Sequence, residues 1–521
     1  MRTRSTLCAL HGLIALLTLV VSAQTSSSVP AGTSCPDARV RKPWEAYSET
    51  EKTRYIEAVR LAITKGYHQK FVELHTEYWS EREAHGTCMF MYWHRMYLLG
   101  YENMLRSLGS EYECVTIPYW DHLSATARQA SETCRNIEQC SPIYQDFGGS
   151  GTGLQKSIVV YNITITRPSK GWCANKAMLS AFCGNSTTCA TCIVRGAAYN
   201  TAYPAESFFG SVYQQMFTYS DWLGFSTAIE RGVHNTVHSA IGGAMAYLQS
   251  PIDPIFYTHH SFVDVLQTIY LKCQLGSETQ IPSAVQKGTD ARLWNNCTRR
   301  TSGRFSPSAT ITMNTRAFNS TWTNVRLDPK NTLYPFFKDL PPKFVDYVDA
   351  KDLGVYSYTY MLQGALTNMF TNCKNASTMQ ASTVTLLADE DVSRVKWKSH
   401  GVLTPITKAP TPIDTKMRRW TIAMYESARL AGYTEDAARD QMEMMLCVHK
   451  QECLGGVEDY DEIFRANFHV TGHPRCYTII KQINAGDRVI GIPKWRELTK
   501  KFFSCANVSE IPSNEATALE L

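Results

Sequence analysis

His234-Asn235-Thr236-Val237-His238, followed by Asp253-Pro254-Ile255-Phe256-Tyr257-Thr258-His259-His260-Ser261-Phe262-Val263-Asp264, decides how the rest of the chain is read. His234 and His238 are four apart, so on a helix they share one face. Two neutral imidazoles on one face suit copper, zinc, iron or nickel. Alone, such a pair is more often surface or core than ligand. A second histidine-bearing helix start a little further on changes that weight. Asp253-Pro254 reads as its N-cap with proline at the first helical position. His259 and His260 are about 100° apart on a helix, so only one of them can face the same point as His234 and His238.

Eight of the fourteen histidines fall in two windows. The first window holds His68, His75, His85 and His94; the second holds His234, His238, His259 and His260. Only His122 lies between them. Ser48-Glu49-Thr50-Glu51 reads as a capping box opening a helix that Gly66 ends. A second helix carries Tyr67, Phe71, Leu74 and Tyr78 on one stripe, with His68 and His75 at its border. A third begins near Trp93 and points His94 at the core. The break at Gly86 lets His85 sit on a loop and turn inward. His68 could take the place of His75, and His259 that of His260. The expected product is two three-histidine sites on an antiparallel four-helix bundle, a known home for paired metals. No Glu-x-x-His pattern is present, so the carboxylate-bridged di-iron reading is disfavoured. All-imidazole ligation points to copper or zinc.

The chain of 521 residues exceeds what one core usually holds, and its net charge of +5 gives no nucleic-acid footprint. Arg2 and Arg4, the apolar run Leu13 to Val21 and Val21-Ser22-Ala23 read as a signal peptide over residues 1–23. Sixteen of the seventeen cysteines follow it, an even number that suggests disulfides. Eleven of these lie up to Cys297 and five from Cys373 on, so if all pair, an odd number of bridges must join the two sets. Sequons start at Asn162, Asn185, Asn296, Asn319, Asn375 and Asn507. A glycosylated, secreted protein is expected, with no membrane span. Residues 123–210 look like a loop-rich, disulfide-stapled excursion. Residues 405–415 read as a Pro- and Thr-rich linker before helices near 416–431 and 434–448. Met442, Met444 and Met445 on the second of these read as core.

The histidine windows resemble the tyrosinase family of type 3 copper proteins, which includes catechol oxidases and molluscan hemocyanins. The resemblance covers roughly residues 45–361. It rests on Phe71-x-x-x-His75, on His85 with Trp93-His94-Arg95, on Ile117-Pro118-Tyr119-Trp120-Asp121, and most closely on the opening stretch. Tyr356 to Tyr360 resembles the tyrosine motif that closes the family's core near the arginine matching Arg95. The resemblance implies a mainly α fold, with a dicopper domain over 46–361 behind a leader at 24–45. A largely helical region at 362–521 follows, whose position alone suggests a shield over the site. It implies two copper ions, held by His75, His85 and His94 and by His234, His238 and His260. O2 is then the co-substrate and small phenols the substrates. Glu230 and Asn235 match residues linked to a water that takes the phenol proton, Tyr247 or Leu248 should line the entrance, and Asp264 should support the His260 helix. Some members fix the second ligand of the first copper by a Cys-His thioether; Glu83 and Ala84 stand here instead. The expected activity is hydroxylation of monophenols and oxidation of o-diphenols to o-quinones. A catechol oxidase and a hemocyanin-like oxygen carrier are the alternatives.

Overall fold

The computed structural model describes residue 35 and residues 39–184, 189–317, 321–373 and 403–505. The expected signal peptide, most of the leader, and the sequons at Asn185, Asn319, Asn375 and Asn507 lie outside the described residues. The fold is mainly helical. Helix α1 (Glu49–Thr64) opens on the expected capping box: the Ser48 hydroxyl accepts the Glu51 N–H at 3.3 Å, and the Glu51 carboxylate accepts the Ser48 N–H at 2.8 Å. Gly66, at φ +78°, turns the chain into α2 (Tyr67–Thr76). Helix α3 (Tyr78–Ala84) stops at His85, which is extended, and Gly86 at φ +65° leads on towards α4 (Phe90–Arg106). Almost every residue of α4 is buried.

The segment 123–210 is less loop-like than its sequence suggests, because α5 (His122–Ala130) begins it. Its apolar stripe is only Leu123, Ala127 and Ala130 among Ser, Thr and Gln; the Asp121 side chain caps it by accepting the Ser124 N–H at 3.1 Å. Helices α6 (Phe209–Phe217) and α7 (Trp222–Ile229) follow. The chain then makes a wide π turn, Glu230–His234, broken at Gly232 (φ −86°, ψ −116°), before α8 (Asn235–Ile241). A β-carbon on Gly232 would stand 2.2 Å from Gln215 Oε1, which accepts the Val233 N–H at 2.9 Å. A side chain there would have to displace the Gln215 amide, so glycine suits the kink. Helix α9 (Ile255–Leu275) carries the His259-His260 pair. Asp253 accepts the Ile255 N–H, but both its oxygens also bind Arg195 at 2.7 Å.

Three short parallel strands, β1 (Val40–Arg41), β2 (Thr359–Leu362) and β3 (Ile406–Thr407), lie in that order. Beside them is a buried ion cluster. Asp264 on α9 receives Arg95 Nε at 2.6 Å, Arg41 at 3.2 Å and the hydroxyls of Tyr358 and Tyr360. Glu102 on α4 accepts Arg41 Nε and the Ile117 N–H, each at 3.0 Å. Asp264 thus ties helix to strand, and the tyrosine motif meets Arg95 through it.

The described residues from Arg39 onward belong to one compact unit. The segment read as a linker contains β3 and a capping box, Thr411 with Asp414, that starts α10 (Pro412–Leu430). Helix α11 (Glu435–Cys453) buries Met442, Met444 and Met445. Helix α10 packs on α5, and α11 on α6. Disulfides join Cys88–Cys297, Cys134–Cys140, Cys173–Cys192, Cys183–Cys189, Cys273–Cys373, Cys447–Cys476 and Cys453–Cys505. The expected link between the two cysteine sets is Cys273–Cys373. Among the described residues no helix is long and apolar enough to cross a membrane.

Candidate metal centre

Two buried groups of histidines face each other. His75 from α2, His85 from the loop after α3 and His94 from α4 form the first, with ring centroids 4.9, 5.2 and 5.7 Å apart. The Nε2 atoms of His75 and His94, and both ring nitrogens of His85, are buried without a hydrogen-bond partner. Such orphans are costly unless something binds them. His75 Nδ1 is held by the Leu248 carbonyl at 2.7 Å, and His94 Nδ1 by that of Phe90 at 2.8 Å. Each ring is thereby turned to aim Nε2 inward, as ligating histidines are.

The second group holds His234, His238 and the His259-His260 pair. Asn235 Oδ1 holds His234 Nδ1 at 2.9 Å, and the Met245 carbonyl holds His238 Nδ1 at 2.8 Å. His260 Nε2 lies 3.3 Å from His234 Nε2 and 3.5 Å from His238 Nε2. Nitrogens bound about 2.0 Å from one tetrahedral ion stand about 3.3 Å apart, so these three are spaced as ligands. His259 can also be grouped with His234 and His238, and its Nε2 is likewise buried without a hydrogen-bond partner. Its Nδ1 meets His122 Nε2 at 2.9 Å. The assignment to His260 rests on its Nε2 standing at co-ligand distance from both His234 and His238. The His260 ring also stacks on His94 at 4.2 Å, which joins the two groups.

Of the other sites read from the sequence, His68 is fully engaged: Nδ1 meets the Tyr101 hydroxyl and Nε2 the Ile252 carbonyl, both at 2.9 Å. Tyr247 turns its hydroxyl to the Thr166 N–H at 3.2 Å, and Leu248 touches the site through its carbonyl. One loop, 242–252, therefore orients His75, His238 and His68 by backbone alone. No sequence motif marks that role, nor that of His122. Glu230 is buried, and its Oε1 accepts the Gly86 N–H, beside His85, at 2.7 Å. The π turn puts it at the junction of the two groups, where a regular helix would have stacked it on His234. Burial pushes its carboxyl up, against the Gly86 N–H, His85, Arg231 and Arg300, which pull it down.

Burial first, and neighbouring histidines second, hold His75 and His94 well below the usual histidine value. His234 and His260 are lowered in the same way, and burial brings His238 to about 3. Neutral imidazoles keep the lone pair a metal needs. Burial also raises Glu81, but His85 and Arg300 outweigh it and hold the carboxyl at about 2. An all-imidazole donor set with orphaned, inward nitrogens fits copper.

From the C-terminal region, α12 (Glu462–Phe468) lies over the centre. The Phe468 ring packs edge-on against His85 at 5.3 Å and reaches His238 at 5.5 Å. The Tyr460 hydroxyl donates to the Arg231 carbonyl, and the Asp461 N–H to Ser239 Oγ at 2.7 Å.

Residues 65–272 match the common central domain of tyrosinase. The tyrosinase of Streptomyces glaucescens is 28% identical over 276 residues, 49% of this chain and 92% of that protein. That of Streptomyces lincolnensis is 30% identical over 243 residues, 44% of this chain and 80% of its own length. A solved polyphenol oxidase variant of Thermothelomyces thermophila covers 62% of this chain and 89% of its own at 20% identity, with a TM-score of 0.40. With its paired histidine groups and these relatives, the chain belongs to the tyrosinase family of dicopper oxidases.

Proposed function

We propose that this protein uses O2 to hydroxylate monophenols and to oxidise o-diphenols to o-quinones. His75, His85 and His94 would hold one copper ion and His234, His238 and His260 the other. The observation that carries the reading is the stacking of His94 on His260 at 4.2 Å, which sets two inward-facing donor groups side by side. Bound copper supplies the activation of O2 and the two-electron exchange with the phenol.

The chain's own residues do the rest. Phe256, with its ring 5.1 Å from His75 and 4.1 Å from His260, keeps water from between the groups. A phenol must lose its proton before its oxygen can bind metal, so a base nearby speeds the first reaction. Glu230 would serve as that base, and its burial, which raises its carboxyl, supports the reading. Asn235 spends its carbonyl oxygen on His234. Its amide group can hold a water towards Glu230. Phe468 would keep the uncut protein latent, since its aromatic ring borders ligands of both ions. The same reading makes this an exported glycoprotein, supported by its disulfides and by the exposed sequons at Asn162 and Asn296.

The test uses protein recovered from the medium of expressing cells and loaded with copper. Two ions per chain are expected, with O2 uptake on both L-tyrosine and L-DOPA. Glu230→Gln should depress tyrosine turnover more than DOPA turnover. Uptake on DOPA alone would turn the reading to a catechol oxidase. Reversible O2 binding with neither substrate consumed would turn it to a carrier, and a chain that takes up no copper would end it.

A further inference from the structure

His85 differs from the other candidate ligands. It sits on a loop, between the end of α3 and Gly86, and neither of its ring nitrogens has a hydrogen-bond partner. By contrast the Nδ1 atoms of His75, His94, His234 and His238 each rest on an uncharged oxygen at 2.7–2.9 Å. The acceptor facing His85 Nδ1 is a carboxylate, Glu81 Oε1 at 3.8 Å, one helical turn earlier.

That carboxylate is held from outside. Arg300 pairs with Glu81 and donates to the His85 carbonyl at 3.2 Å. Arg299 pairs with Glu83 at 2.6 Å. Cys297, at the root of the same segment, is bonded to Cys88. Residues 297–300 thus clamp the His85 loop at Glu81, Glu83, His85 and Cys88.

We propose that Glu81 is the positioning residue for His85. Its carboxylate accepts the Nδ1–H of His85 while Nε2 serves as ligand to the first copper, and Arg300 keeps the carboxylate in place. Ligating histidines commonly give their second N–H to such a group, which fixes the ring and makes it a better donor. The first copper then has one ligand backed by a negative charge, and the second has none of that kind among the described residues.

The proposal rests on the dicopper reading, and its test separates the two. Copper is drawn from the full-length holoprotein with increasing chelator, and the ions retained per chain are counted by atomic absorption. Glu81→Ala should release one ion at about tenfold lower chelator than the native protein, and hold the other unchanged, which also reports an intact fold. Glu83→Ala removes the sister ion pair without facing His85 Nδ1, and should keep both ions. Wild-type retention in Glu81→Ala, or equal release in both variants, overturns the proposal. Where Glu81→Ala does not accumulate, Glu81→Gln keeps the shape without the charge, and is held to the same outcomes. A native chain that binds no copper fails the underlying reading and takes the proposal with it.

Discussion

Phe468 brings a benzene ring to His85 and His238 from outside the helices that carry them. Truncating it should free that space while leaving every ligand in place. Phe468→Ala is therefore expected to raise kcat/KM for L-DOPA in uncut protein about tenfold, by raising the open fraction, with copper content unchanged. Activity equal to the parent's would remove the ring as a barrier. At this scale the sequence was most legible where candidate ligands lie on helices, as with His94 and His238. It left His68 beside His75 as an alternative because the groups that occupy His68 are remote: Tyr101 lies 33 residues away and Ile252 lies 184 away. It could not weigh Phe468 at all, since a lone phenylalanine at a helix end carries no local signal.

Helix α5 and helix α10 meet through acids. Ser124 Oγ donates to Asp121 at 2.8 Å and stands 3.2 Å from Asp414. Burial first, then Asp414 and Glu45, push Asp121 up to about 7. Its ordinary value is 3.8, so the fold favours the protonated form. Stability from this group is full below that ordinary value and drains away as pH rises to about 7. Asp121→Asn, which can still accept the Ser124 N–H, should flatten this part of the profile. Thermal melts of the two proteins at pH 4 to 8 read it, and parallel curves would refute it. The elements themselves were unequally visible. Ser48 and Glu51 announce α1, because a capping box followed by an apolar stripe is a local pattern. Thr411 and Asp414 make the same box, but inside a Pro- and Thr-rich run that reads as linker. The turn at Gly232 depends on Gln215, which no pattern within the segment reveals.

Across the whole molecule, β1, α4, α9 and the tyrosine motif are joined by the cluster around Asp264 and Glu102. Burial alone would raise both carboxyls, but Arg95 and Arg41 hold Asp264, and Arg41 and Arg39 hold Glu102, below their ordinary values of 3.8 and 4.5. The stability they contribute is present above those values and lost as pH falls below them. Acid unfolding is expected to begin below about pH 4, and Asp264→Asn, which leaves Arg95 and Arg41 buried with one carboxylate fewer, should lower Tm at neutral pH by more than any exposed-pair change such as Glu435→Gln. Circular dichroism against pH and temperature decides this; equal shifts in the two variants would deny the cluster its role. Cysteine parity alone announced a tie between the two ends of the chain, though not that Cys273 would receive it.

That pattern of bridges has a consequence for how the protein could be switched on. Cys447–Cys476 and Cys453–Cys505 close the C-terminal portion on itself, and Cys273–Cys373 ends short of it. Among the described residues, no disulfide shown ties the helices from α10 onward to the body that carries the histidine groups. A single backbone cut between Cys373 and α10 would thus convert the segment over the histidine groups into a separate, still cross-linked polypeptide held by non-covalent contacts alone. Its hold would pass from an intramolecular effective concentration to an ordinary bimolecular equilibrium. Cleavage alone then need not start catalysis. Dilution would complete the release, and adding the fragment back would reverse it.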